Sequence, residues 1–202
     1  MSHTVTLPLE RKRAKPYDFG EALIFEMTIG QALDNHIDPE LQECAYSLLT
    51  HENLRRFFSD PPMLAEFSRF LEHGFAGICA HQGDQWISVM WMTRPSTRQP
   101  LHMPRAVRGT YWIFSTRTHD AYRSRGYAKA ALKAFALALD LADRRDERFY
   151  ADVDPKNEPS RRALLGFGFS PAGSMLTLSV PRLKIFWGLW RRGLAHPALK
   201  SK

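Results

Sequence analysis

Twelve consecutive residues, Thr118-His119-Asp120-Ala121-Tyr122-Arg123-Ser124-Arg125-Gly126-Tyr127-Ala128-Lys129, hold the densest set of side chains able to do chemistry. They follow a β-prone run, Thr110 to Thr118, and lead into an alanine- and leucine-rich stretch, Tyr127 to Arg144, where Leu132, Phe135 and Leu139 recur at helical spacing. A helix starting near Gly126 leaves its first backbone N–H groups without internal partners and points the positive end of its dipole at the junction. Gly126 and Ala128 keep bulk away while Arg123 and Arg125 add charged donors, so the junction suits a diphosphate better than an uncharged ligand. The same spacing also describes an ordinary strand-to-helix turn, and spacing alone leaves both readings open.

A second polar group lies about thirty residues on. In the strand predicted over Phe149 to Val153, Tyr150, Asp152 and Asp154 share one side, opposite Phe149, Ala151 and Val153. That set reads either as acid–base groups or as a solvated strand end. Asn157 and Ser160 follow at the start of a short helix, Ser160 to Leu165, and both are also residue types that cap helices. His119, just past the earlier strand, is either a base or an exposed loop residue.

The elements that must position these groups follow from pattern. Ala22 to Thr28 reads as a strand, and a helix-like stretch starts at Asp38-Pro39-Glu40 and runs through Leu49. A second helical stretch spans about Glu52 to Phe58, breaks at Pro61-Pro62 and resumes with Leu64, Phe67 and Leu71 on one face. Phe75 to His81 and Trp86 to Thr93 flank a hairpin turn, and a proline- and arginine-rich loop runs from Arg94 to about Val107. Ser174 to Val180 is a further strand. This order predicts an α/β (α+β) layered domain over 21–190, with a basic lead-in at 1–20 and a basic tail at 191–202.

At 202 residues and 44% apolar content the chain can fill one substantial core, which excludes wholesale disorder. It has no apolar run long enough to span a bilayer and no apolar leader among its first twenty residues, so a soluble cytoplasmic protein is expected. Two cysteines, Cys44 and Cys79, cannot build a disulfide framework or a cysteine-rich zinc site, and no metal is expected. The net charge of +7 sits at the ends: Arg11, Lys12, Arg13 and Lys15 form one cluster, Arg182, Lys184, Arg191, Arg192, Lys200 and Lys202 another. Three readings of the tail stand: a closing strand in which Leu183, Ile185, Trp187 and Leu189 alternate, a segment on an anionic surface such as lipid, and, least favoured, a nucleic-acid contact.

Arg123-x-x-Gly126-x-Ala128 after a strand resembles the acyl-CoA-binding motif of the GNAT superfamily of N-acetyltransferases. Val153 to Ser160, followed by Gly168-Phe169, resembles that family's strand, asparagine, short helix and Gly-Phe signature. The resemblance implies a mixed, mostly antiparallel sheet flanked by helices, with the strands at Thr110 to Thr118 and Phe149 to Val153 splayed around acetyl-CoA or another acyl-CoA. It also implies a pantetheine arm along Ser115, Thr116, Arg117 and Thr118, and a pyrophosphate on Arg123, Ser124, Arg125, Gly126, Tyr127, Ala128 and Lys129. Asn157 and Ser160 would then face the arm or the thiol.

The implied reaction is direct attack of a primary amine on the thioester, which requires a base, an oxyanion donor and a proton for the leaving thiolate. Asp152 and Asp154 are the base candidates, with His119; Tyr150, Ser160 or a water is the acid, or the thiolate leaves unassisted. Many members of the family carry a proton-donating tyrosine seven residues after the asparagine, where this chain has Leu164. The arginines at 94, 98 and 105 favour an acceptor that bears an anionic group beside its amine. A longer-chain acyl-CoA or acyl-carrier-protein donor, and a CoA-binding regulatory protein with weak transfer, are the alternatives.

Overall fold

In the computed structural model, residues 18–42, 44–95, 110–180 and 185–193 are described. Residues 1–17 of the lead-in, most of the arginine-rich loop after Pro95, residues 181–184 and residues 194–202 of the tail lie outside the described residues, whereas residues 18–20 and 191–192, expected in the lead-in and the tail, belong to strands. Eight strands form one sheet: β1 (Asp18–Thr28), β2 (Ala45–Leu48), β3 (Ala76–Gln82), β4 (Gln85–Thr93), β5 (Tyr111–Thr118), β6 (Arg148–Val153), β7 (Ser170–Val180) and β8 (Ile185–Arg192). Their spatial order is β2-β3-β4-β5-β6-β1-β7-β8. Every neighbouring pair is antiparallel except β5 and β6, which run parallel.

Helices cover the sheet on two faces because the strands alternate. On β4, Met90 and Met92 point to one core, and Val89 and Trp91 to the other. The first core packs α1 (Ile29–Asp34) and α5 (Tyr127–Ala138) against Leu23, Phe25, Met90, Ile113 and Phe149. The second packs α3 (Leu54–Phe57) and α4 (Pro61–Glu72) against Cys79, Val89 and Trp91. The two prolines that interrupt the helical pattern in sequence sit in the first turn of α4, where a missing N–H costs nothing, and Asp60 caps that turn by accepting from Met63 N.

Of the boundaries that differ from the sequence expectation, three have a clear local reason. The helix expected through Leu49 is only α2 (Pro39–Gln42); Ala45–Leu48 instead pairs with β3 as the sheet's edge, since tertiary pairing outweighs a short helical pattern. The helix expected through Arg144 stops at Ala138. Asp140 there adopts φ 54°, while Leu141 N and Asp140 N close back onto Ala136 O and Leu137 O in a Schellman motif. β7 begins at Ser170 rather than Ser174, because Glu26 and Phe25 of β1 pair with its first residues. The closing strand favoured for the tail is present as β8, antiparallel to β7 from Val180↔Ile185 to Gly173↔Arg192.

Gly77 lies opposite Trp91 across β3 and β4, and a Cβ at Gly77 would stand 2.8 Å from the indole ring. Gly77→Ala is therefore expected to lower stability by about 1–3 kcal/mol through overpacking, read as a fall in the midpoint of thermal or urea unfolding. A variant as stable as the wild type would show that Trp91 can shift without cost.

Candidate functional site

The parallel ladder between β5 and β6 is three residues long. It pairs Tyr111 with Phe149, Trp112 with Tyr150 and Ile113 with Ala151, and then stops. On the far edge of β5 the ladder to β4 skips: Trp91 faces Phe114 and Val89 faces Arg117, so β5 carries an extra residue. Ser115, at φ 46°, takes up that bulge. Its hydroxyl is buried and has no hydrogen-bond partner among the described residues. From Phe114 onward β5 leaves β6, and a wedge opens between their C-terminal ends.

α5 begins at the mouth of the wedge. Gly126 is its N-cap at φ 87°, in left-handed geometry that glycine adopts without penalty, and no side chain caps the turn. A Cβ there would also stand 3.1 Å from Leu41. The first-turn N–H groups at Tyr127, Ala128 and Lys129 thus face the opening with the positive end of the helix dipole behind them. The loop before the helix is braced from within. His119 Nδ1 accepts from Ala121 N, while Arg123 pairs with Asp120 at 2.7 Å and donates to Thr118 O at 3.3 Å. Tyr122 and Tyr127 pack edge to face at 5.6 Å between ring centres.

Across the wedge stands α6 (Glu158–Phe167). Asn157 Oδ1 accepts from Ser160 N at 3.2 Å, so Asn157 acts as the helix cap. α6 contains no buried residue. Between α5 and α6, above β5 and β6, lies a cleft of about 1440 Å³. Ser115, Thr116, Arg117, Thr118, Arg123, Ser124, Gly126, Tyr127, Ala128 and Lys129 all line it, as do His119, Asp152, Asp154, Asn157 and Ser160.

Two expected residues do not. Arg125 lies over the Tyr122 ring at 6.0 Å. Tyr150 stacks on Trp112 with ring centres 5.9 Å apart, in the small cluster around Ile24 and Met175 away from the cleft. Burial first, then the Glu26 carboxylate, push its phenol above the ordinary range. Leu164 is half-buried and lines the cleft. Asp154 Oδ1 accepts from Lys156 N, bracing the turn into α6. Arg117 reaches the opposite face, where it pairs with Glu66 at 2.6 Å.

Sequence reasoning missed Trp112, whose indole N–H donates to Asp152 Oδ1 at 2.7 Å and orients that carboxylate. It also missed Glu26, which reaches Tyr150 and Arg148 only because β1 pairs with β6. Both contacts cross strands distant in sequence, so no local spacing announces them. The uncapped helix start, the glycine in left-handed geometry and the orphaned Ser115 hydroxyl together fit an anionic ligand with a polar, extended arm.

Neither cysteine belongs to the site. Both are buried; burial pushes the Cys44 thiol up, and that of Cys79 up to about 12. A thiol reagent at about pH 8 is expected to leave both unmodified in the native protein and to label both after denaturation. Fast labelling of the native protein would contradict this packing.

A family model described as the acetyltransferase (GNAT) family matches residues 38–169, more than half of the chain. No curated protein matches the sequence. Among solved structures the fold is similar to a GNAT-family protein from Novosphingobium aromaticivorans, with a TM-score of 0.52 at 14% identity over 81% of this chain and 66% of that one. It is also similar to a conserved protein of unknown function from Staphylococcus epidermidis, with a TM-score of 0.52 at 10% identity over 81% of this chain and 63% of that one. A GCN5-related N-acetyltransferase-like protein from Streptococcus suis gives 0.50 at 13% identity, over 82% and 63%. The chain spans less than two thirds of the length of each of these three.

Proposed function

The chain belongs to the acetyltransferase (GNAT) family, and we propose that it transfers the acyl group of an acyl-CoA, with acetyl-CoA as the reference donor, directly to a primary amine. The observation that carries this reading is an open strand wedge with an uncapped helix N-terminus at its mouth. The pyrophosphate of the donor takes the first-turn N–H groups of α5 at Tyr127, Ala128 and Lys129, with Gly126 admitting it to the backbone. The amides of the arm pair along β5 from Thr118 to Ser115, in place of the ladder that β6 has given up. The buried Ser115 hydroxyl and the bulge beside it face the thioester end.

In the transfer, the amine nitrogen attacks the thioester carbonyl carbon; a C–N bond forms and the C–S bond breaks. An acceptor that arrives as an ammonium first gives one proton to Asp152; on attack the nitrogen gives up a second, the departing thiolate takes one, and the products are an amide and the free thiol of CoA. Asp152 holds the incoming ammonium and accepts its proton, because Trp112 fixes the carboxylate at the cleft. Leu164 has no proton to donate. Ser160 sits one helical turn before it on the cleft side of α6, and its hydroxyl relays the proton to sulfur.

Calorimetric titration of acetyl-CoA and CoA into the wild type and Gly126→Asp tests the donor site. Micromolar binding is expected for the wild type, with a loss of at least about tenfold in the variant, whose carboxylate repels the pyrophosphate. The fold of the variant is checked by circular dichroism, and no binding to the wild type would sink the proposal. Asp152→Asn is expected to slow CoA thiol release with a panel of amines by about 10²–10⁴ while donor affinity holds. An unchanged rate would remove Asp152 from the base role. Leu164 favours a second reading, a CoA-binding protein without efficient transfer, which requires tight CoA binding and no thiol release with any amine of the panel.

A further inference from the structure

We propose that Trp112 is a positioning residue for the transfer: its indole, locked inside the β5–β6 ladder, holds Asp152 as the ionised carboxylate that can accept a proton. The inference rests on Asp152 as the base proposed above and adds what keeps that base ready. Asp152 is the first residue of β6 past the last laddered pair, Ile113 and Ala151, so β6 has lost its β5 neighbour there while Ile24 of β1 still stands opposite. Trp112 belongs to the pair before, with Tyr150, and its indole N–H reaches forward to donate to Asp152 Oδ1 at 2.7 Å.

The indole has little freedom of its own. It is 2% exposed and packs with Ile24 and Met175. Its ring lies on that of Tyr150, with centres 5.9 Å apart and planes inclined by 20°. Tyr150 is hydrogen-bonded to Glu26, which pairs in turn with Arg148. Towards β4, Trp112 N donates to Thr93 Oγ1 at 3.2 Å, and Thr93 Oγ1 donates to Thr110 O at 3.2 Å. Strands on both sides of β5 thus fix the donor before any ligand enters.

An indole N–H donates and never accepts, so its bond favours the carboxylate over the carboxylic acid. Burial of the donor strengthens that preference, because the effective dielectric around it is low. Other charges share the cleft with Asp152. Asp154 stands two residues on along β6, and Lys129 of α5 and His119 past β5 line the same walls. Arg117 of β5, paired with Glu66 of α4, and the Arg162–Glu158 pair of α6 flank them. Glu26 of β1 and Arg192 of β8 act on the neighbouring Tyr150. Replacing the indole by a phenyl ring changes none of these charges, so the difference between the two proteins reads the lost N–H.

Trp112→Phe keeps an aromatic ring against Tyr150 and removes the donor. Two quantities are compared with the wild type: the pH dependence of CoA thiol release with one amine, and the carboxyl NMR titration of Asp152 in the free protein, assigned with Asp152→Asn. Both are expected to move up by about one pH unit, while the rate well above the acid limb returns to within about twofold of wild type and CoA affinity holds. The amine titrates identically in both experiments, so the difference belongs to the protein. A rate lowered by one factor at every pH, or a carboxyl titration that does not move, would overturn the inference. A carboxyl titration that moves while the rate limb stays would take Asp152 out of the base role and Trp112 out of the transfer with it, leaving the acyl-CoA site standing. No thiol release with any amine would overturn both readings together. Should Trp112→Phe fail to fold by circular dichroism, the wild-type indole N–H resonance of Trp112, assigned by replacing each other tryptophan in turn, decides. It is expected to shift with the Asp152 titration and to lose that shift in Asp152→Asn; a resonance that responds to neither would overturn the inference.

Discussion

Two parallel strands that begin as hydrogen-bonded neighbours will zip to their ends unless something else holds each of them. Here β5 and β6 are held by different partners. The C-terminal half of β5 is drawn to β4 through Thr118↔Ser88 and Arg117↔Val89, through the Ser88–Thr118 hydroxyl pair at 3.0 Å, and through Arg117 reaching Glu66 on α4. The end of β6 stays on β1, with Val153 opposite Leu23 and Asp152 opposite Ile24. The bulge at Ser115 absorbs the divergence in a single residue. Everything that makes a binding site of this sheet follows from that competition, because a closed ladder would leave no backbone edge to offer and no cleft above it.

The same competition sets where charge matters. The ion pairs at the mouth and around it are largely exposed, Arg123 and Asp120 among them, so their contribution to stability is small. Their effect is geometric: the Arg123 pair and its bond to Thr118 O fix the loop that delivers the chain to Gly126. What the mouth presents to a negative charge is mainly backbone N–H groups and the dipole of a twelve-residue helix, neither of which titrates. The acidic side chain in the cleft, Asp152, accepts from the Trp112 indole, which fixes the orientation of its carboxylate.

Stability and adaptability occupy different walls of the site. α5 is anchored by Ala131, Leu132, Phe135 and Ala136, all buried in the main core. α6 buries no residue fully and reaches the same core through the half-buried Leu164 and Phe167.

The sequence by itself determined the local pieces: the β-prone run into β5, the amphipathic pattern of α5, the hairpin of β3 and β4, and the Arg123, Gly126 and Ala128 spacing at the turn. These are set by contacts within a few residues, so short-range periodicity and turn chemistry carry them. It misassigned Ala45–Leu48, because an edge strand of four residues owes its conformation to β3 rather than to its own composition. Alternation correctly put Tyr150 and Asp152 on one side of β6, yet only the structure decided that Trp112 meets both, donating to Asp152, which lines the cleft, and stacking on Tyr150, which does not. Which residues become neighbours across a sheet depends on register and strand order, and those are fixed by the packing of the whole fold, not by any stretch of the chain.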